Sequence, residues 1–181
     1  MKAIVSQLQA QADAYAERVL QPLNKTIDRF GRVLLAWSDA TIVNRAEHHA
    51  TRSELRQSIV RTDAEGRIVP LEMNPNLYFS EGQLSALSVA ALLAASTTFQ
   101  WSRWRCLLMD DPLQHNDVIH ATAFMDLVRQ LVRCLGYQVI MSTHDSAEAA
   151  FLIRKCQSAR IPFIVHELLP PGNDGLISEA A

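Results

Sequence analysis

Two neighbouring carboxylates, Asp110 and Asp111, stand at the end of the apolar run Cys106-Leu-Leu-Met109 and are followed at once by Pro112. Burying such charges is costly unless something pairs with them, so the pair is either exposed in a loop or serves a cation. The first acid can order a hydrated magnesium ion while the second, facing another direction, orients or deprotonates a water. The competing structural reading is that Asp-Asp-Pro merely caps the next helix. A second polar cluster, Ser142-Thr143-His144-Asp145, follows another apolar run that starts at Tyr137. A third, Ser80-Glu81-Gly82-Gln83, opens a long stretch of small and apolar residues. There a serine can cap a helix and Gly82 lets a backbone approach closely, so the exposed amides form an anion site. An N-capped core helix is the plainer alternative.

The elements around these clusters alternate in type. A small-residue helix over about 83–99 leads to the strand 106–109, and a helix over 118–135 ends at Gly136 in the C-cap position. A strand over 137–143, a helix over 146–158 and a strand over 161–168 follow. With no two-residue hairpin turns between them, these strands read as parallel, joined by crossover helices. Ligands gather beyond the carboxyl ends of such strands, which brings Asp110–Asp111 and His144–Asp145 to one edge of one sheet.

Ahead of this α/β segment the character differs. Arg61–Met73 reads as an antiparallel hairpin turning at Asp63-Ala-Glu-Gly66, with Pro70 demoting its second strand to an edge or a bulge. Residues 1–21 read as a helix whose stripe of Ile4, Leu8, Ala12, Tyr15 and Val19 is as narrow as a coiled-coil seam. Pro22 cannot continue that helix without a kink but can open a second, with Leu23, Ile27, Phe30 and Leu34 on one face; an amphipathic pair packed on the domain and a coiled-coil end are equally open readings.

The bulk chemistry of the 181 residues is that of a globular domain, 49% hydrophobic and 20% charged. A net charge of −2 gives no global pull toward nucleic acid, so any such surface has to be a local patch. Three cysteines without a CxxC pair fit reduced thiols. Neither a signal peptide nor a run able to span a membrane is evident, and a cytoplasmic location is expected.

Taken in order, the clusters resemble the motifs of the ATP-binding cassette ATPases, in particular the heads of the RecF, RecN and SMC-like group within the P-loop NTPase superfamily. Phe79-Ser80-Glu81-Gly82-Gln83 resembles the Leu-Ser-Gly-Gly-Gln signature, with Phe for Leu and Glu for the first Gly. Leu107–Pro112 resembles the Walker B strand, Leu113–Asp117 the D-loop, and Ser142–Asp145 the switch that carries the H-loop histidine. The resemblance covers about residues 77–168.

Two departures stand out. Asp111 is one methylene shorter than the family's usual Glu, which shortens its reach to a water. The six glycines lie at 31, 66, 82, 136, 172 and 175, and none begins a G-x-x-x-x-G-K-[ST] loop. In the SMC-like group that Walker A loop lies in the N-terminal lobe, separated by a coiled coil from the lobe that carries the other motifs. The resemblance therefore implies a C-terminal lobe, with residues 1–36 as coiled-coil end and entry helix, 37–79 as antiparallel β segment, 80–169 as the ATPase lobe and 170–181 as a loose tail.

The implied roles follow. Asp110 holds Mg²⁺ through water, Asp111 positions the attacking water and His144 senses the γ-phosphate of ATP. Ser80, Glu81, Gly82 and Gln83 form the signature that meets nucleotide on a second head, and Asp117 links the sites across the dimer. The implied partners are the N-terminal Walker A lobe of the same protein, a second head as homodimer, and DNA, with no membrane; the chain alone is expected to be inactive. Two alternatives remain open on the residues: a divalent-metal phosphoesterase using Asp110, Asp111, His115 and His144, and a catalytically degenerate dimerisation module. His115 and His120 flank the D-loop region, with zinc binding only a minor alternative there, and His48 and His49 are expected to be solvated. Trp101, Arg103, Trp104 and Arg105 read as a packed loop or a nucleic-acid patch.

Overall fold

In the computed structural model the described residues are 2–48, 52–62, 68–99, 103–114, 116–168 and 178–180. The chain begins with one long helix, α1 (Lys2–Val33), which passes through Pro22 without a break. A proline inside a helix removes one i→i−4 hydrogen bond, here the one to the carbonyl of Arg18. Arg18 is exposed, so water can take that bond, while Thr26 Oγ1 donates to the Pro22 carbonyl at 2.8 Å. The expected division at Pro22 is thus absent.

The C-terminal half of α1 buries Ile27 and Phe30, and Leu34 just past its end is buried too, whereas Ile4, Val5, Leu8 and Tyr15 of its first half are exposed. After α1, Leu35 adopts a left-handed φ of 58° and the chain turns into an antiparallel sheet. That sheet has the order β1 (Ala40–His48), β2 (Ser53–Thr62), β3 (Ile68–Met73). The expected hairpin is its β2–β3 half, although its turn at 63–67 lies outside the described residues. Pro70 sits on the edge strand, where a missing N–H is tolerated, and the β2–β3 register shifts between Ile59 and Arg61. Amide hydrogen bonds fix α1 to β1. Asn24 Oδ1 accepts from both the backbone and the side chain of Asn44, and Asp28 Oδ1 accepts from the Ile42 amide.

A short helix, α2 (Pro75–Tyr78), leads into α3 (Glu81–Thr98), which packs on α1. Then come β4 (Cys106–Asp110), α4 (Val118–Leu135), β5 (Gln138–Ser142) and α5 (Ser146–Ala159). Strands β4 and β5 pair in parallel across the α4 crossover, as the alternating pattern predicts. Gly136 caps α4 at φ 67°, a left-handed conformation that glycine adopts without steric cost. One face of the β4–β5 pair joins the core through Leu107 and Met109; on the other, Leu108 is 65% and Ile140 45% exposed.

The last expected strand forms only in part. Residues 161–165 are not strand, and β6 (His166–Leu168) pairs antiparallel with β7 (Ser178–Ala180). A single core unites the antiparallel and α/β segments, running from Ile27 and Phe30 through Ile42, Ile59 and Leu93 to Leu107, Phe124 and Leu131.

Candidate functional site: a strand-end carboxylate pair and two capped helices

The register of β4 with β5 decides the site, because it places Asp110 opposite Ser142. Ser142 Oγ donates to Asp110 Oδ1 at 2.5 Å. One residue on, the Asp111 amide donates to the Ser142 carbonyl at 3.1 Å, and the backbone then turns through a left-handed φ of 47° at Asp111. That region is sparsely populated by residues other than glycine, though Asp and Asn enter it more readily than most. The turn closes with a hydrogen bond from the Gln114 amide to the Asp111 carbonyl.

Asp110 and Asp111 consequently have different surroundings. Asp110 is exposed at the strand tip. Asp111 is drawn in to 16% side-chain exposure, where its Oδ2 lies 2.6 Å from His144 Nδ1 and its Oδ1 3.5 Å from the Thr143 hydroxyl. His144 itself is 75% exposed. The expected convergence of the two strand-end clusters is what the geometry has. The oxygen donors around Asp110 suit a hard, partly hydrated cation such as magnesium. No glycine-rich loop is present to cradle the rest of a nucleotide's phosphates.

Asp145 caps α5, accepting from the amides of Ala147 at 2.7 Å and Glu148 at 3.3 Å. Glu148 was not singled out by the sequence reading, yet it belongs to this cluster. Its Oε1 is buried without a hydrogen-bond partner. Burial, then the charge of Asp111, pushes the Glu148 carboxyl above its ordinary range, while the facing Thr143 hydroxyl and the charge of His144 oppose that rise. An acid four residues after a histidine is the signal that points to it, but Asp-x-x-Glu is also an ordinary helix-start spacing.

The signature-like segment is organised differently. Ser80 caps α3 and accepts from the Gln83 amide at 3.3 Å, while Gln83 Oε1 accepts from the Ser80 amide at 3.0 Å, a closed capping box. Gln83 Nε2 also donates to the Ala36 carbonyl at 2.8 Å, tying this helix start to the end of α1. Just before it, Phe79 stacks on Trp37 at 5.3 Å, and Trp37 lies so close to Gly31 that a Cβ there would meet its ring at 1.8 Å. Ser80 and Glu81 are exposed and Gly82 is half-buried.

Asp117 caps α4. It accepts from the amides of Ile119 and His120 and pairs with His120 Nδ1 at 2.7 Å. The His120 amide and then its ring hold the Asp117 carboxyl below the ordinary range. His120 is thereby a partner of the cap rather than one of a ligand set. Among the described residues no group of three or more His, Cys, Asp or Glu side chains is arranged to hold a metal ion. His115, of the phosphoesterase alternative, lies outside the described residues.

Other candidates have local partners. His48 is half-buried and contacts Ser53 Oγ at 2.8 Å, so it is not the solvated residue expected; His49 lies outside the described residues. Arg52, Arg56 and Arg61 each pair with an acid, respectively Glu54, Glu47 and Asp39. Arg105 donates to the Leu135 carbonyl at 2.6 Å, but Arg103, Trp104 and Arg105 are all exposed, so the segment is not the packed loop expected; Trp101 is not among the described residues. No helix of the described residues is long and apolar enough to cross a membrane.

No family model matches the chain. Two curated relatives, each described as an aliphatic sulfonates import ATP-binding protein SsuB, are 27% identical to it over 157 residues; one is from Mycobacterium avium (strain 104), the other from Mycolicibacterium paratuberculosis. The match covers 81% of this chain but only 59% of each relative, so the chain spans little more than half their length. Among solved structures, the Smc head domain of Pyrococcus furiosus, with an extended coiled coil and bound to the C-terminal domain of ScpA, superposes with a TM-score of 0.59 at 10% identity. That likeness covers 99% of this chain and 39% of the other. The Smc head domain of Pyrococcus yayanosii gives 0.58 at 14% identity, covering 99% and 30%. A chain from work on ATP-driven dimerization and DNA-stimulated activation of SMC ATPases gives 0.57 at 14%, covering 93% and 88%. With its parallel β4–β5 pair, its α4 crossover and its long leading helix, the chain has the fold of part of these SMC head domains.

Proposed function

We propose that this chain is the C-terminal half of an SMC/RecN-like ATPase head that binds and hydrolyses ATP where two heads meet. The observation that carries the reading is the meeting of Asp110, Asp111, Thr143 and His144 at the carboxyl edge of β4 and β5. Asp110 would hold magnesium, which when bound would supply positive charge to offset that of the transferring phosphate. Asp111 orients a water and takes its proton as the water oxygen bonds to the γ-phosphorus and the bond to the β,γ-bridging oxygen breaks, releasing ADP. His144, exposed at the strand end, would reach the γ-phosphate by leaving its contact with Asp111. Ser80, Gly82 and Gln83 offer the α3 N-terminus to the nucleotide of the second head, and Asp117, the N-cap of α4, would link the two sites across the dimer.

Two surfaces fit the partners this requires. Parallel sheets are covered on both faces, and the exposed apolar face of Leu108 and Ile140 suits the lobe that would bring the Walker A loop. The exposed stripe of Ile4, Leu8 and Tyr15 on α1 suits a coiled-coil partner strand. DNA repair, chromosome maintenance or anti-phage defence is the setting that the reading implies.

The test is reconstitution. The chain alone should neither bind ATP tightly nor hydrolyse it, and addition of its Walker A lobe should produce magnesium-dependent turnover. Robust hydrolysis by the isolated chain, lost in Asp111→Ala, would refute the half-site assignment.

A further inference from the structure

The α/β segment carries its charges at opposite ends. Asp110, Asp111, Asp117, Asp145 and Glu148 stand at the carboxyl edge of β4 and β5, where α4 and α5 begin. The amino edge, where both strands begin and both helices end, holds Arg103, Arg105, Arg133 and Arg160 instead. Direct contacts tie this edge together. Arg105 Nη1 donates to the Leu135 carbonyl at 2.6 Å, the Gln138 amide to the Arg105 carbonyl at 2.8 Å, and Arg133 Nη2 to the Arg160 carbonyl at 3.0 Å. All four arginines are exposed, and Trp104, 68% exposed, stands between the first two.

The plain reading is that these cations complement helix C-termini, and it accounts for only part of the charge. Each C-terminus carries about half a negative charge, so α4 and α5 together offset about one of the four. A guanidinium also has five N–H donors, of which Arg105 and Arg133 each spend one on a carbonyl. No acid among the described residues pairs with any of the four, whereas Arg52, Arg56, Arg61 and Arg129 each have an acidic partner. The chain's net charge of −2 therefore conceals a local patch of positive sign.

We propose that the amino edge of β4–β5 is a binding surface for single-stranded DNA, with the four arginines on the phosphates and Trp104 stacked on a base. Unspent guanidinium donors match phosphate oxygens. An exposed indole flanked by arginines matches an unpaired base, whose face a duplex hides. The arginine and tryptophan side chains are donors only, so they offer no acceptor to the 2′-hydroxyl that marks RNA. Acids at the opposite edge repel the strand from the carboxylate site. The surface needs no nucleotide and does not depend on the ATPase reading.

The test is fluorescence anisotropy of a labelled oligothymidylate titrated with the chain, without ATP, between about 50 and 200 mM salt. The logarithm of affinity should fall against that of salt with a slope of about −3, as expected for four phosphates on a single strand. Arg103→Glu combined with Arg160→Asn should weaken binding about tenfold or more and flatten the slope; Asn tolerates the left-handed φ of 53° at position 160. Arg56→Glu, a charge reversal on the antiparallel sheet, should leave affinity nearly unchanged. Trp104→Ala should weaken binding about fivefold or more with the slope retained, and Trp104→Phe should recover most of that loss. The proposal is overturned by no binding at the lowest salt, by an equal loss in Arg56→Glu, or by a duplex bound as tightly as the single strand. Tighter binding of an oligouridylate, or displacement of the strand by polyglutamate at matched charge, would reassign the patch to RNA or to an acidic protein and overturn it equally.

Discussion

The helix starts at α3 and α5 share one local spacing, an N-cap side chain followed three residues later by Gln or Glu, and they use it differently. At α3, Ser80 and Gln83 satisfy one another, and Gln83 reaches on to Ala36. At α5, Asp145 caps but Glu148 does not close the box: its Oε1 is buried without a hydrogen-bond partner. The difference lies in what precedes each helix. The α3 cap follows a packed turn anchored by the Trp37–Phe79 stack, so its polar groups find partners within the fold. The α5 cap follows the end of a parallel strand beside Asp110, where the neighbours are other site residues. Changes at the first start should therefore register as stability and changes at the second as chemistry.

The largest effect is expected from Asp111→Asn in the complete head. Asn tolerates the left-handed φ of 47°, so backbone strain is not added, but the group that takes the proton is lost. Turnover should fall by about 10²–10⁴-fold with the thermal midpoint of the chain nearly unchanged. Equal collapse of stability and turnover would erase the distinction between the two regions.

Gly31→Ala should give the next largest effect, at the other region. The added Cβ would fall 1.8 Å from the Trp37 ring, which forces the ring off Phe79 or opens the end of α1. Overpacking of this kind costs about 1–3 kcal/mol or more, measurable by denaturant unfolding of the isolated chain. An unchanged midpoint would mean that the Trp37–Phe79 stack does not anchor the signature-like helix.

Much of this contrast was open to sequence reasoning, and the reasons for the remainder are physical. The parallel β4–β5 pair, the α4 crossover and the Gly136 cap were legible because continuous apolar runs and a left-handed glycine leave few alternatives. The convergence of Asp110–Asp111 with His144 followed from that topology alone. The unbroken α1 was not legible, since the cost of Pro22 depends on the exposure of Arg18 and on a hydroxyl at Thr26, neither of which a propensity records. Glu148 was hidden for a related reason. Its spacing from Asp145 has an ordinary use, and only Thr143, whose hydroxyl accepts from the Asp145 amide, shows that the use is pre-empted.

Ser80→Ala sharpens the comparison at about 1 kcal/mol, the usual worth of an N-cap side chain. The chain should lose that much stability by urea unfolding, because the Gln83 amide loses its acceptor. If Ser80 also meets nucleotide on a second head, turnover of the complete head should fall by more than the loss of folded protein explains. A turnover that tracks folding alone would leave Ser80 as a cap and nothing else.

The smallest effect concerns pH and sets the two carboxylates at helix starts against each other. Burial raises the Glu148 carboxyl, and the nearby charge of Asp111 adds to the rise. Its folded form therefore binds a proton more tightly than its unfolded form. Its contribution to stability is fully present below the unfolded value and is lost as pH rises through the folded one. Asp117 is the opposite case. Held down by the His120 amide and ring, it contributes above its unfolded value and loses that contribution as pH falls through the depressed folded one. Glu148→Gln should accordingly make the chain slightly more stable at neutral pH and remove the part of the decline that comes as pH rises through the raised Glu148 value, whereas Asp117→Asn should make it slightly less stable there. Chemical unfolding across pH 3–8 measures both. A Glu148→Gln variant less stable than its parent at neutral pH would mean that the ionised carboxylate is held by favourable contacts, and the argument that this acid was placed at a cost to folding would fail.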